Sequence, residues 1–108
     1  MRIVVLPEVR VYLKELSQVL YEKEYFGFEE SALAYVDSLL DDVQDMHLKT
    51  AKAAPPHFER YGKEMQYATF RKSKATQWYI FFTRHNVDGE IVFLVRHISN
   101  NHVAGQFL

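Results

Sequence analysis

The spacing of apolar positions changes twice along the chain. Ile3-Val4-Val5-Leu6 is a short, mostly β-branched run closed by Pro7, the pattern of a buried first strand. Pro7 suits a helix start, because the N–H it lacks would be unpaired there anyway, and Glu8 matches the positive end of the helix dipole. Val9, Tyr12, Leu13, Leu16, Val19 and Leu20 then recur at helical spacing. They predict an amphipathic helix over 8–23, closed at Gly27 or in the turn around it. A second helix is predicted over 29–48, with Leu33, Val36, Leu40 and Val43 as its apolar stripe. Asp37, Asp41, Asp42 and Asp45 fall largely on its other side, as a solvated face would place them. Residues 50–56 include Pro55-Pro56, cannot continue the helix, and read as a connector.

Beyond the connector the period drops from helical to alternating. Residues 65–71 alternate as a strand, 71–74 (Arg-Lys-Ser-Lys) form a charged turn, and 76–84 (TQWYIFFTR) form a strongly β-prone central strand. Asn86-Val87-Asp88-Gly89 supplies a turn with glycine where positive φ is expected, and 90–98 (EIVFLVRHI) is the last strong strand. Alternation puts Phe93, Val95 and His97 on one face of it. Residues 99–108 give no clear pattern. The expectation is one α+β domain over 1–108: an N-terminal strand, two antiparallel helices, then a three-stranded antiparallel meander. The two helices would cover one sheet face and bury both stripes.

Composition narrows the class. With 108 residues, 48% hydrophobic and 25% charged, the chain suits one folded core, and eight Phe, seven Tyr and one Trp make that core ring-rich. The absence of cysteine excludes disulfide scaffolds, thiolate metal sites and cysteine nucleophiles, and it fits a reducing cytoplasm. The opening MRIVVLPEVRVYL has too short an apolar run for a signal peptide. The uncharged run at 75–83 spans nine residues, against the ~20 that a membrane helix needs. A cytoplasmic chain with no membrane partner is expected.

Net charge is −1, but the halves differ. Residues 1–56 hold six Lys/Arg against ten Asp/Glu, a balance of −4. Residues 57–108 hold seven against four, a balance of +3, with four of the five histidines. Such a chain can turn a basic surface toward phosphates.

The residues of the second half carry a family likeness. Phe58-Glu59-Arg60-Tyr61-Gly62 leads into the meander, 65–71 ends in a basic residue, Gln77-Trp78-Tyr79-Ile80-Phe81-Phe82 is an aromatic central strand, and 92–97 ends in histidine. Together with the order of elements, these segments resemble the RelE/ParE family of toxins from bacterial toxin–antitoxin pairs. The likeness in residues is confined to about 58–102. The chain departs from the family where many members are strongly basic, where a Tyr-Arg pair stands at Trp78-Tyr79, and where an Arg/Lys-rich ending stands at Asn100-Asn101-His102.

The resemblance implies one of two activities, both restrained by a cognate antitoxin. In ribosome-dependent members mRNA is cleaved by attack of its own 2′-hydroxyl on the adjacent phosphate. That chemistry needs cations around the phosphate and groups to move protons. The other branch poisons DNA gyrase and needs a protein-binding surface instead. No cofactor is implied. From outside the family, the competing reading is a small non-catalytic α+β interaction domain.

Arg71, Lys72 and Lys74, with Arg60 and Lys63 in support, are the candidates for gripping phosphate, since arginine offers a bidentate fork and lysine a point charge. A strand-to-strand turn is also basic for solvation alone. His97 and His102 are the proton-transfer candidates because histidine titrates near neutrality, with Glu64 as a carboxylate option and Arg71 as the cation nearest the chemistry. A strand histidine equally suits a packed structural role. Arg96 is expected to be exposed opposite the core. His97 and His102 lack a third nearby ligand, so no metal site is expected. The four glycines are isolated and make no phosphate loop. Trp78 and its neighbours could stack on bases, although core packing fits so apolar a strand better. Convergence of Arg71, His97 and the 72–74 lysines on one open sheet face would favour cleavage, and an apolar face or one capped by the tail would count against it.

Overall fold

The architecture follows from a computed structural model, which describes residues 1–23 and 28–108, without the side chain at 106. The chain folds as strand β1 (Arg2–Val5), helix α1 (Pro7–Glu22), helix α2 (Glu29–Asp45), a two-residue strand β2 (Lys52–Ala53), and strands β3 (Gln66–Arg71), β4 (Gln77–Val87) and β5 (Glu90–Asn100). Short 3-10 turns lie at Met46–Leu48, Pro56–Tyr61 and Gly105–Phe107. The class is α+β, with an N-terminal strand, two helices and a mostly antiparallel sheet.

The sheet has five strands, not three. Its order is β1-β5-β4-β3-β2, with β1 parallel to β5 and the other pairs antiparallel. The meander was legible because β4 and β5 are joined by a two-residue turn. Asp88 and Gly89 adopt φ of 51° and 82°, and Asn86 Oδ1 accepts a hydrogen bond from the Gly89 N–H at 3.0 Å. Two positive φ values in succession match the right-handed twist of the flanking strands. The edge strand β2 was hidden because only Lys52 and Ala53 pair, opposite Tyr67 and Gln66.

Helix α1 begins at Pro7 and buries Val9 and Leu13, while Tyr12, Leu16 and Leu20 pack at the margin. Helix α2 buries Ala32, Val36, Leu39 and Val43. The expected stripe through Leu33 and Leu40 is therefore rotated: Leu33 is exposed, because Ala32 and Leu39 complete a tighter 32-36-39-43 row. Gly27, the expected helix-ending residue, lies outside the described residues.

Alternation along β4 divides the interior. Trp78, Ile80 and Phe82 face the helices, with Val95 and Ile98 from β5 and Phe70 from β3. The Trp78 indole N–H donates to the Tyr35 hydroxyl of α2 at 2.9 Å, so the buried ring keeps its hydrogen bond. Tyr79 and Phe81 face the other way, into a smaller cluster with Phe58, Met65 and Ala104. The 3-10 turn Pro56–Tyr61 and the C-terminal segment cover that second face.

Candidate functional site

β1 pairs with β5 only as far as Val95, where the Leu6 N–H still donates to the Val95 carbonyl at 3.1 Å. The chain then leaves the sheet to start α1. Among the described residues no strand pairs with that edge of β5 beyond Val95, and a cleft of about 620 Å³ opens there. The first turns of α1 supply one wall through Glu8, Val9 and Tyr12, and Arg60 and Tyr61 supply the other. Arg96 and His97 come from β5 itself.

His97 does not share a face with Phe93 and Val95, as strict alternation predicted. Phe81 pairs with His97 and Phe82 pairs with Val95, which leaves Arg96 as the extra residue of a β-bulge. A bulge resets the alternation and re-aims the side chains beside it. Val95 therefore points to the helices while His97 enters the second cluster, 5.5 Å from Phe81 and 6.5 Å from Phe58 between ring centroids. Arg96 is half-buried rather than exposed, and its Nε–H donates to Thr83 Oγ1 at 2.9 Å.

Burial pushes the His97 pKa below the usual histidine value, so its ring is neutral at pH 7 and has a lone pair to accept a proton. Burial, reinforced by Tyr35, pushes the Tyr12 phenol up, so Tyr12 serves the cleft as a hydroxyl and not as a base. Two arginines, a neutral imidazole, two phenols and the positive end of α1 thus border one opening, with Glu8 as the lining carboxylate. The arrangement can hold an oxyanion and take up a proton beside it.

The remaining sequence candidates lie elsewhere. Arg71 ends β3 opposite Gln77, on the same face as His97 but two strands across and about four residues along, which is about 16 Å at ordinary sheet spacings. The surface between them carries Tyr67, Tyr79 and Phe81 and is crossed by Ala104. Arg71, His97 and the lysines therefore do not converge on an open polar face, which counts against cleavage built on Arg71 and those lysines. Lys72 turns toward the helices, and its ammonium lies 2.6 Å from Asp42 Oδ2 of α2. Lys72 and His102 line a separate groove of about 630 Å³ with Lys23, and His102 Nε2 sits 3.3 Å from Thr76 Oγ1. Lys74 and Lys63 are exposed. Glu64 has φ of 57° and lines a third cleft with Glu59, about 20 Å along β3 from Arg71.

Of the eight sequence candidates, His97 and Arg60 meet in one cleft. Reading by period missed Arg96, Tyr61, Tyr12 and Glu8 among its other polar members. One signal was present: Val95-Arg96-His97-Ile98 places two polar residues in succession within a strand, which breaks alternation and marks a bulge. Among the described residues no cluster of His, Asp and Glu could hold a metal ion, and no helix is long and apolar enough to cross a membrane. Compared with protein-family models, curated proteins and solved structures, the chain matches none of them.

Proposed function

We propose that this chain is the toxin of a toxin–antitoxin pair of the RelE/ParE kind, acting by cleavage of mRNA on the ribosome. The observation that carries the reading is the bulge at Arg96, which brings Arg96 and His97 into one cleft with Arg60. The order of elements and the aromatic β4 also agree with the family likeness. Arg60 and Arg96 hold the nonbridging oxygens of the scissile phosphate, where charge accumulates in the transition state. Neutral His97 takes the proton of the 2′-hydroxyl as that oxygen attacks phosphorus. The bond from phosphorus to the 5′-oxygen breaks, solvent supplies the proton to the leaving oxygen, and a 2′,3′-cyclic phosphate remains. Tyr61 stacks on the imidazole and fixes its plane. The cognate antitoxin restrains the activity.

A second reading has its own observation. The Arg71 and Lys74 side chains are exposed and make no hydrogen bond or ion pair among the described residues, as a protein-binding surface would present them. A gyrase-directed toxin without nuclease activity uses such a surface. Pulse-labelling of protein and DNA after induced expression separates the two. The proposal expects translation to fall first, and His97→Ala to restore it. Replication stopping first, with DNA breaks, overturns it in favour of the gyrase reading.

A further inference from the structure

The Arg96 side chain is held from two directions. On one side its Nε–H donates to Thr83 Oγ1 at 2.9 Å, and Thr83 is only 7% exposed. The same oxygen lies 2.8 Å from His85 Nε2, so the hydroxyl is fixed by a second partner. An arginine fork has five N–H groups, and this bond uses the one on Nε. The two terminal nitrogens have no protein partner among the described residues and remain for a ligand.

On the other side lies Gly62, directly after the turn that carries Arg60 and Tyr61. A methyl group built on Gly62 would stand 2.7 Å from Arg96 Cδ, 3.1 Å from Nε and 3.4 Å from Met65 Cγ. With φ of 160° and ψ of 149°, Gly62 is in extended backbone that any residue adopts. The contact with Arg96, and not the backbone, is what calls for glycine. To return to ordinary contact the arginine must retreat by at least about 0.7 Å at Cδ, the difference between the 2.7 Å separation and ordinary contact at 3.4 Å. Its flexible stem permits that at little cost to the fold, but the guanidinium at its end moves with it.

We infer that Gly62 and Thr83 are positioning residues for Arg96, and that they aim its two terminal nitrogens at an oxyanion in the β5-edge cleft. This rests on the phosphate-binding reading of that cleft. A misplacement of about 1 Å in such a group lowers function by up to about 100-fold, so a single methyl at position 62 should act far beyond its size. Gly62 touches no substrate; it acts through Arg96.

The test uses the full chain and a labelled single-stranded RNA about ten nucleotides long. Binding by fluorescence anisotropy, thermal melting and the Arg Nε–H signals in 15N NMR are measured for the native protein, Arg96→Ala, Gly62→Ala, Thr83→Val, Thr83→Ser and the Gly62→Ala/Arg96→Ala double variant. Expected are a loss of binding of about tenfold for Arg96→Ala and a similar loss for Gly62→Ala, with the melt retained. The double variant should bind no worse than Arg96→Ala alone. Thr83→Val should weaken binding and Thr83→Ser should keep it. The slowly exchanging Nε–H signal of Arg96 should vanish in Gly62→Ala. An unchanged Nε–H signal in that variant, or a binding loss that adds in full to that of Arg96→Ala, overturns the inference. If Arg96→Ala itself leaves RNA binding unchanged, the phosphate reading of the cleft falls, and the Nε–H signal alone decides the positioning role. If Gly62→Ala does not fold, the Thr83→Val and Thr83→Ser pair makes the same comparison.

Discussion

His97 lies flat against Tyr61, with ring centroids 3.9 Å apart and planes 7° from parallel. One face of the imidazole is thereby closed by a phenol that the Pro56–Tyr61 turn carries across the sheet. Phe81 leans on the ring at 40°. A histidine clamped in this way is partly stripped of water, and the charged form suffers most.

The first prediction concerns pH. His97 has its pKa lowered in the folded chain, and the unfolded value is about 6.5. Between the two values the unfolded chain binds more protons, so stability rises with pH across that window. The stability is fully present above about pH 6.5 and declines as pH falls toward the folded value. Tyr61→Ala should open the ring to water and bring the pKa back up. NMR titration of the His97 ring in both proteins checks this; a His97 that titrates at or above 6.5 in the native protein would sink it.

A second prediction ranks two arginines. Arg71→Ala should leave both fold and toxicity largely in place, because Arg71 is exposed and about 16 Å from His97 by sheet spacings. Arg96→Ala should relieve growth arrest. The melting temperatures of both variants should stay within a few degrees of the parent, surface and half-exposed changes rarely costing more than about 1 kcal/mol. This reverses the priority given by sequence, where Arg71 stood out as a basic strand end. Relief of toxicity by Arg71→Ala but not by Arg96→Ala would return the site to the β3–β4 turn.

The reversal shows which features of this chain were legible. Both helices, the β1 run and the meander carry periodic patterns or turn residues, so local chemistry sufficed. The pairing of β1 alongside β5 is non-local, and so is the cleft left where that pairing stops at Val95. One inserted residue, Arg96, inverts the face of His97, and a strict period of two has no place for it. Tyr61 and Arg60 reach His97 through the Pro55-Pro56 connector and its 3-10 turn, whose path no local pattern encodes.

The third prediction tests the second layer of the core. Phe81 has no exposed surface and sits 4.5 Å from Phe58 and 5.6 Å from Tyr67 between ring centroids. Phe81→Ala should cost about 3–5 kcal/mol in urea denaturation, the usual range for deleting a buried ring. A loss below about 1 kcal/mol would mean that the Pro56–Tyr61 turn is not packed on the sheet as described.

The last prediction concerns the antitoxin of the proposed pair. The second half of the chain is +3, so the inhibiting segment is expected to contribute carboxylates near the 71–74 turn. The three cations there are not equivalent. Lys72 already faces Asp42 at 2.6 Å, with both side chains mostly shielded, so its charge is largely answered within the fold. Arg71 and Lys74 are exposed and take part in no ion pair among the described residues. They should therefore dominate the attraction of an acidic partner. Such attraction acts mainly on the association rate and is screened over a Debye length of about 8 Å at physiological salt. Lys74→Glu should slow association several-fold at low salt and much less at high salt. Lys72→Ala should change association little and should lower stability instead, because it leaves the Asp42 carboxylate half-buried without its cation. Surface plasmon resonance at two salt concentrations, using the product of the neighbouring gene as the immobilised partner, reads both effects. Equal losses from the two lysine variants, or an association rate indifferent to salt, would place the partner on some other face of this protein.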